Sequence, residues 1–197
     1  MGALYGGDKK VTQKKIDAIC ARILHENRLS NLKNSTWLVD VLAFSVPVGY
    51  MPFRLFAKGT SFEAASEFIW IFAASILAVL SAVKMVSGWS EKSNKHSKLM
   101  GENISLVTQA DYLLSKSQDL DEEKANLFFT LADVIEKSDR ELLGKITTVD
   151  RQEAYRQALK ESSTDTENVK CPICNSSPWH FVSGSCQACG NTPKTRE

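Results

Sequence analysis

From Phe68 to Val83 the chain runs through sixteen residues without one ionisable side chain, and the twenty residues Ala64–Val83 contain only Glu67. At ~1.5 Å rise per residue, twenty helical residues reach about 30 Å, roughly one hydrocarbon thickness. A helix on the surface of a soluble core keeps a polar stripe over such a length. The segment therefore predicts a membrane span, with a buried soluble helix as the alternative. Trp70 near one end and Trp89 beyond the other suit interfacial depth, and Lys84 is placed for its stem to carry the ammonium out to water.

An antiparallel partner precedes it. Trp37–Phe53 is seventeen residues long and carries Asp40, Pro47, Gly49 and Pro52, which a spanning helix tolerates where neighbours satisfy the freed carbonyls. With residues 54–63 as the loop, the two form a predicted hairpin over 37–86, with spans at about 37–53 and 64–83. Seven Lys/Arg lie in residues 1–36, two in the loop, and four (Lys84, Lys92, Lys95 and Lys98) just after the second span. That bias places both termini in the cytoplasm. The first 36 residues are polar and basic with no apolar core, so no cleavable signal peptide is expected.

The remainder reads as helix. Ile16, Ile19, Cys20, Ile23 and Leu24 share a face of a helix over 8–33, which suits either packing on neighbouring helices or lying on anionic lipid. Beyond Gly88 the second span is expected to continue directly as a helix, with Val86, Ser93, Met100, Ile104, Val107 and Leu114 at spacings of three, four and seven. A further helix is expected from Asp119, capped with Glu122, with Leu127, Phe128, Leu131, Val134, Ile135 and Leu142 on one face. Another runs over Asp150–Lys160. Residues 161–170 have linker composition, which divides the chain into an N-terminal amphipathic helix (1–36), the hairpin (37–86), a helical region (87–160), the linker, and a tail (171–197).

The tail reads Cys171-Pro-Ile-Cys174, eleven residues, then Cys186-Gln-Ala-Cys189-Gly190. Two Cys-x-x-Cys turns complete a tetrahedral shell of four thiolates of the kind zinc prefers, and Gly190 suits the positive φ a knuckle requires. Four protein ligands leave no open position, so the predicted Zn²⁺ is structural. Two disulfides are the alternative, disfavoured for a cytosolic tail. Trp179, His180, Phe181 and Val182 are expected to form a short strand whose aromatics cover the cluster; His180 as a ligand, or Trp179 and His180 stacking on a base, are the other readings. Cys20 reads as a small buried hydrophobe without a role.

No phosphate loop, nucleophile elbow or His-Glu-x-x-His motif occurs, so no enzymatic activity is expected. A net charge of +1 gives no global field for nucleic acid, and any basic surface is local. One such cluster is Trp89, Lys92, Lys95, His96 and Lys98, which suits lipid headgroups or the phosphates and bases of an oligonucleotide. His25 and His96 otherwise read as polar-face residues. Along the second span Ala74, Ser75, Ala78, Ser81 and Ala82 form a small, mildly polar face that allows close helix approach or lines a pore in a homo-oligomer. Asp40 and Glu67, at the span edges, face either a partner or the headgroups.

A two-span hairpin extended by a long helix over Lys84–Ser117 and a further helical segment resembles the SLATT group of prokaryotic two-transmembrane effectors, and the terminal Cys-x-x-Cys pairs separated by eleven residues resemble the mobilome CxxCx(11)CxxC proteins. The resemblance implies an all-α membrane protein of the prokaryotic inner membrane, with long cytoplasmic helices and a small C-terminal zinc ribbon. It implies an oligomeric anti-phage effector that forms or gates an ion-conducting pore. Its control would come from the product of a partner nucleotidyltransferase-like enzyme, a nucleotide or, as in Hailong-type systems, a single-stranded oligonucleotide. The alternative is a membrane-tethered ribbon that docks a protein or nucleic acid without conducting ions.

Overall fold

The computed structural model describes residues 2–116, 122–163 and 169–193. It contains helices α1 (Gly2–Ala57), α2 (Glu63–Val86), α3 (Trp89–Ser115), α4 (Glu122–Leu143) and α5 (Thr148–Glu161). Among the described residues there is no strand, only an isolated antiparallel bridge between Ser183 and Asn191. Asp119, expected to cap α4, and residues 164–168 of the expected linker lie outside the described residues. Thr147 caps α5, its hydroxyl accepting from the Asp150 amide.

Two expected boundaries move. The helix over 8–33 and the first span are one uninterrupted helix. Asn34-Ser35-Thr36 contains neither Gly nor Pro, and weak helix formers alone do not terminate a helix already propagating on both sides. The second span does not run directly into α3. The Ser87 amide still donates to the Val83 carbonyl, but Gly88 adopts φ +61° and its amide turns back to Met85, ending α2 before Trp89 starts a new helix.

The chain divides into two compact units, residues 29–94 and residues 1–28 with 95–197. In the first, α1 and α2 form a hairpin closed by a turn over residues 58–62, shorter than the expected loop, where Gly59 (φ +77°) donates its amide to Glu63 Oε2 at 3.0 Å. The half-buried and buried side chains along the seam are Val39, Val46, Tyr50 and Ala57 of α1 and Ser66, Trp70, Ala73, Leu77, Leu80 and Lys84 of α2. Pro47 and Pro52 stay inside α1, although each lacks an amide and so frees a carbonyl one turn back. Both helices are long and apolar enough to cross a membrane. Their outward side chains, among them Phe44, Val48, Met51, Phe68, Ile71, Phe72 and Val79, stand exposed. Asp40 pairs with Lys84 (2.5 Å) near one end of the seam and Arg54 with Glu67 (3.7 Å) near the other.

In the second unit the α1 segment is a central strut. Val11 and Ala18 pack with Leu106, Ala110 and Leu113 of α3 and Phe128, Ala132 and Ile135 of α4. On its other side Ile16, Ile19, Cys20 and Leu24 pack with Ala154, Tyr155, Ala158 and Leu159 of α5. Its lysines serve the same packing: Lys14 pairs with Asp133 (2.9 Å) and Glu136 (2.7 Å), and Lys15 with Asp111 (2.6 Å). This segment packs on neighbouring helices, and its two apolar faces are not available to lie on lipid. Burial, then the nearby Asp17 charge, push the Cys20 thiol up to about 12, so it stays protonated and inert.

The buried stripes of α3 and α4 differ from the expected ones. On α3 they are His96, Leu99, Asn103, Leu106, Ala110 and Leu113, and on α4 Ala125, Phe128, Ala132, Ile135, Asp139 and Leu143. Leu127 and Val134, expected in the core, are exposed. Three core positions are polar, which shifts the apparent phase of a pattern read from hydrophobicity alone.

Candidate metal centre

Both Cys-x-x-Cys segments close into the same turn. The Asn175 amide donates to the Cys171 carbonyl (2.9 Å), as Gly190 does to Cys186 (2.8 Å); the Cys171 amide donates to the Ser176 carbonyl (3.0 Å), as Cys186 does to Asn191 (3.1 Å). Each turn needs a left-handed residue after its second cysteine. Gly190 has φ +71°, as expected, and Asn175 fills the equivalent place at φ +58°, asparagine being among the non-glycine residues that best tolerate it.

The turns bring Cys171, Cys174, Cys186 and Cys189 together, their sulfurs all within 4.8 Å of one another. Cys174 and Cys189 Sγ are 3.4 Å apart, and Cys171 and Cys186 Sγ 4.0 Å. Four sulfurs each ~2.3 Å from one tetrahedral ion would be spaced by about 3.8 Å, so the cluster can hold a metal ion. These separations are far too long for disulfides, and all five cysteines are free thiols. Burial opposes the Cys186 thiolate, yet hydrogen bonds from the Cys189 and Ala188 amides and from neighbouring thiols outweigh it and bring Cys186 down to about 7. Burial holds Cys171 and Cys189 up. Among the described residues His180 is not part of the cluster.

Residues 179–182 do not form the expected strand. Phe181 and Val182 are exposed, and the loop is held by Asn191, whose Oδ1 accepts from the Val182 amide (2.7 Å) while its Nδ2 donates to the Ser177 and His180 carbonyls (3.1 and 3.3 Å). That side chain adds to a short backbone pairing, in which the Thr192 amide donates to the Val182 carbonyl (2.8 Å) and the Gly184 amide to the Gly190 carbonyl (2.9 Å). Nor is the tail a separate module: the four cysteines belong to the same core as Ile16, Ile19, Leu24, Tyr155 and Leu159. Gln152 and Arg156, one turn apart on α5, donate to the Cys186 (3.2 Å) and Cys189 (2.6 Å) carbonyls, and the Arg156 guanidinium lies 3.9 Å over the Phe181 ring.

Gly184 is the tightest point, since a Cβ there would lie 2.4 Å from Thr192 Cα. Gly184→Ala is expected to force apart the pairing of 182–184 with 190–192 and to weaken metal affinity about 10–100-fold, the usual cost of disturbing the support of a metal site. Chelator competition measures it; unchanged affinity would show that the bridge does not support the site.

The structure does not gather the remaining sequence-derived sites into one place. Trp89 and Lys92 belong to the unit 29–94, and Lys95, His96 and Lys98 to the other. His96 is a correction: it is buried against His25, itself fully buried, and neither is a polar-face residue. Ala74, Ser75, Ala78, Ser81 and Ala82 all stand outside the hairpin seam, and the Ser75 hydroxyl donates to the Ile71 carbonyl at 2.8 Å. Asp40 is engaged by Lys84.

No curated protein and no solved structure matches the chain. The sequence model of the mobilome CxxCx(11)CxxC proteins matches residues 8–192, spanning α1 through the second knuckle, and the chain belongs to that family.

Proposed function

We propose that the chain is a membrane effector of a prokaryotic defence system carried on mobile DNA. Its hairpin inserts in the inner membrane, several copies assemble, and ions pass through the assembly. Control comes from a nucleotide or single-stranded oligonucleotide made by a nucleotidyltransferase-like partner, as in the SLATT and Hailong-type effectors the sequence resembles. The tail holds one structural Zn²⁺ and no catalysis is assigned. The supporting observation is the hairpin surface: the seam consumes one face of each helix, while the apolar belt and the small face at Ala74, Ala78 and Ala82 point outward. In lipid that belt needs no protein cover, and the small face lets a second hairpin approach closely.

Ala78→Leu is expected to abolish toxicity and membrane depolarisation in cells at unchanged expression and zinc content. Full toxicity in both Ala78→Leu and Ser81→Leu would remove this face from the conducting path. Wild-type protein that is membrane-bound yet never conducts in planar bilayers would leave the tethered docking module as the reading; its surface would include the exposed Ile173, Phe181 and Val182.

A further inference from the structure

Asp139, His25, His96 and Asn103 form a buried chain across α1, α3 and α4, with relative exposures of 6%, 0%, 5% and 1%. The Asp139 carboxylate lies 2.8 Å from His25 Nε2 and accepts from Asn103 Nδ2 at 3.1 Å on each oxygen, while Asn103 Nδ2 also donates to the Leu99 carbonyl. His25 and His96 face each other through their Nδ1 atoms, 2.7 Å apart.

These contacts fix the protons. A carboxylate can only accept, so His25 Nε2 carries hydrogen. A 2.7 Å contact between two ring nitrogens needs one hydrogen between them. With both rings neutral, His96 Nδ1–H donates to bare His25 Nδ1. With one added proton on either ring, one Nδ1–H still donates to the other, bare Nδ1. A second added proton leaves two N–H groups aimed at each other and two like charges in contact without water. We propose that this cluster is a proton-operated latch, closed while the two imidazoles share one hydrogen and opened between α1 and α3 when His96 also becomes charged. The latch sits at the margins of its unit: on α1 that unit ends at Arg28 and on α3 it resumes at Lys95. It does not depend on the membrane reading.

The charged groups around it are Arg28 and the exposed Lys95, with Lys14 and Asp17 on α1, Glu136, Asp139 and Arg140 on α4 and Arg151 on α5, the last six lining one cavity of about 280 Å³ beside Asn103. Burial, then the charges on His25 and Arg28, bring His96 down to about 4. Because that lies below the unfolded value of about 6.5, the stabilisation is complete above pH ~6.5 and is lost as pH falls toward 4.

His96→Asn tests it in the full chain in nanodiscs, because the asparagine amide can take the place of Nδ1 without titrating. Between pH 6 and 4.5 the unfolding constant of wild type relative to His96→Asn should rise by up to about tenfold per pH unit. Parallel pH curves would overturn the latch. Should the variant fail to fold, ¹⁵N-histidine spectra of wild type decide: His96 uncharged at pH 5.5 supports the latch, and a charged His96 there overturns it.

Discussion

Cys189→Ser should leave the purified chain with less than one equivalent of zinc and should destabilise the helices as well as the tail. The cysteines share a core with Ile16, Ile19 and Leu24 of α1 and Ala154, Tyr155 and Leu159 of α5. A structural zinc contributes on the order of 10 kcal/mol in isolated finger peptides, comparable to the whole stability of a small domain. Removing it exposes four thiols to one another and withdraws the carbonyls that Gln152 and Arg156 hold. Metal analysis with thermal unfolding followed at the helical circular dichroism band reads both effects. A metal-free chain that melts at the wild-type temperature would refute the coupling, and wild type purified without chelator yet free of zinc would refute the metal.

The second large effect lies in the hairpin. Replacing Lys84 by Leu, or Asp40 by Leu, should destabilise the hairpin in a bilayer by about 3–5 kcal/mol, since each leaves the partner as an unpaired charge in an apolar setting. The exchange Asp40→Lys with Lys84→Asp should restore most of it. Were the hairpin in water, the outcome would be different: an ion pair as open as this one, with Asp40 60% exposed, contributes roughly 0–1 kcal/mol. A double-mutant cycle in nanodiscs therefore reports on both the pair and its surroundings. A coupling energy near zero there would contradict placing this pair at membrane depth.

Much of this architecture is legible in the sequence, and the misreadings share a cause. The hairpin helices follow from apolar runs, since both are long and apolar enough to cross a membrane. The metal cluster follows from spacing, because two Cys-x-x-Cys turns bring four thiols to one point. By contrast, His96, Asn103 and Asp139 occupy core positions that hydrophobic periodicity assigns to the surface, which rotates the apparent phases of α3 and α4. Their burial depends on partners 36 to 114 residues away, which no local window contains. The continuous helix through 34–36 is illegible for a related reason: a boundary inferred from composition has no force where the backbone has no chemical reason to stop. Asn175 is the exception, since its place after Cys174 mirrors Gly190 after Cys189 and was available to read.

The placement of α1 at the centre of its unit also sets an order of assembly. Lys14 reaches Asp133 and Glu136 across 119 and 122 residues, and Lys15 reaches Ser162 across 147. At about 5–20 residues per second of synthesis, roughly 10–30 s separate the appearance of this segment from that of the last cysteine. The face with Val11 and Ala18 lacks its partners until α3 and α4 have emerged, and the face with Ile16, Ile19 and Leu24 until α5 and the cysteines follow, while the hairpin has already emerged. The first helix made is thus among the last to be buried, and the metal-binding turn at the far end of the chain completes the core around it.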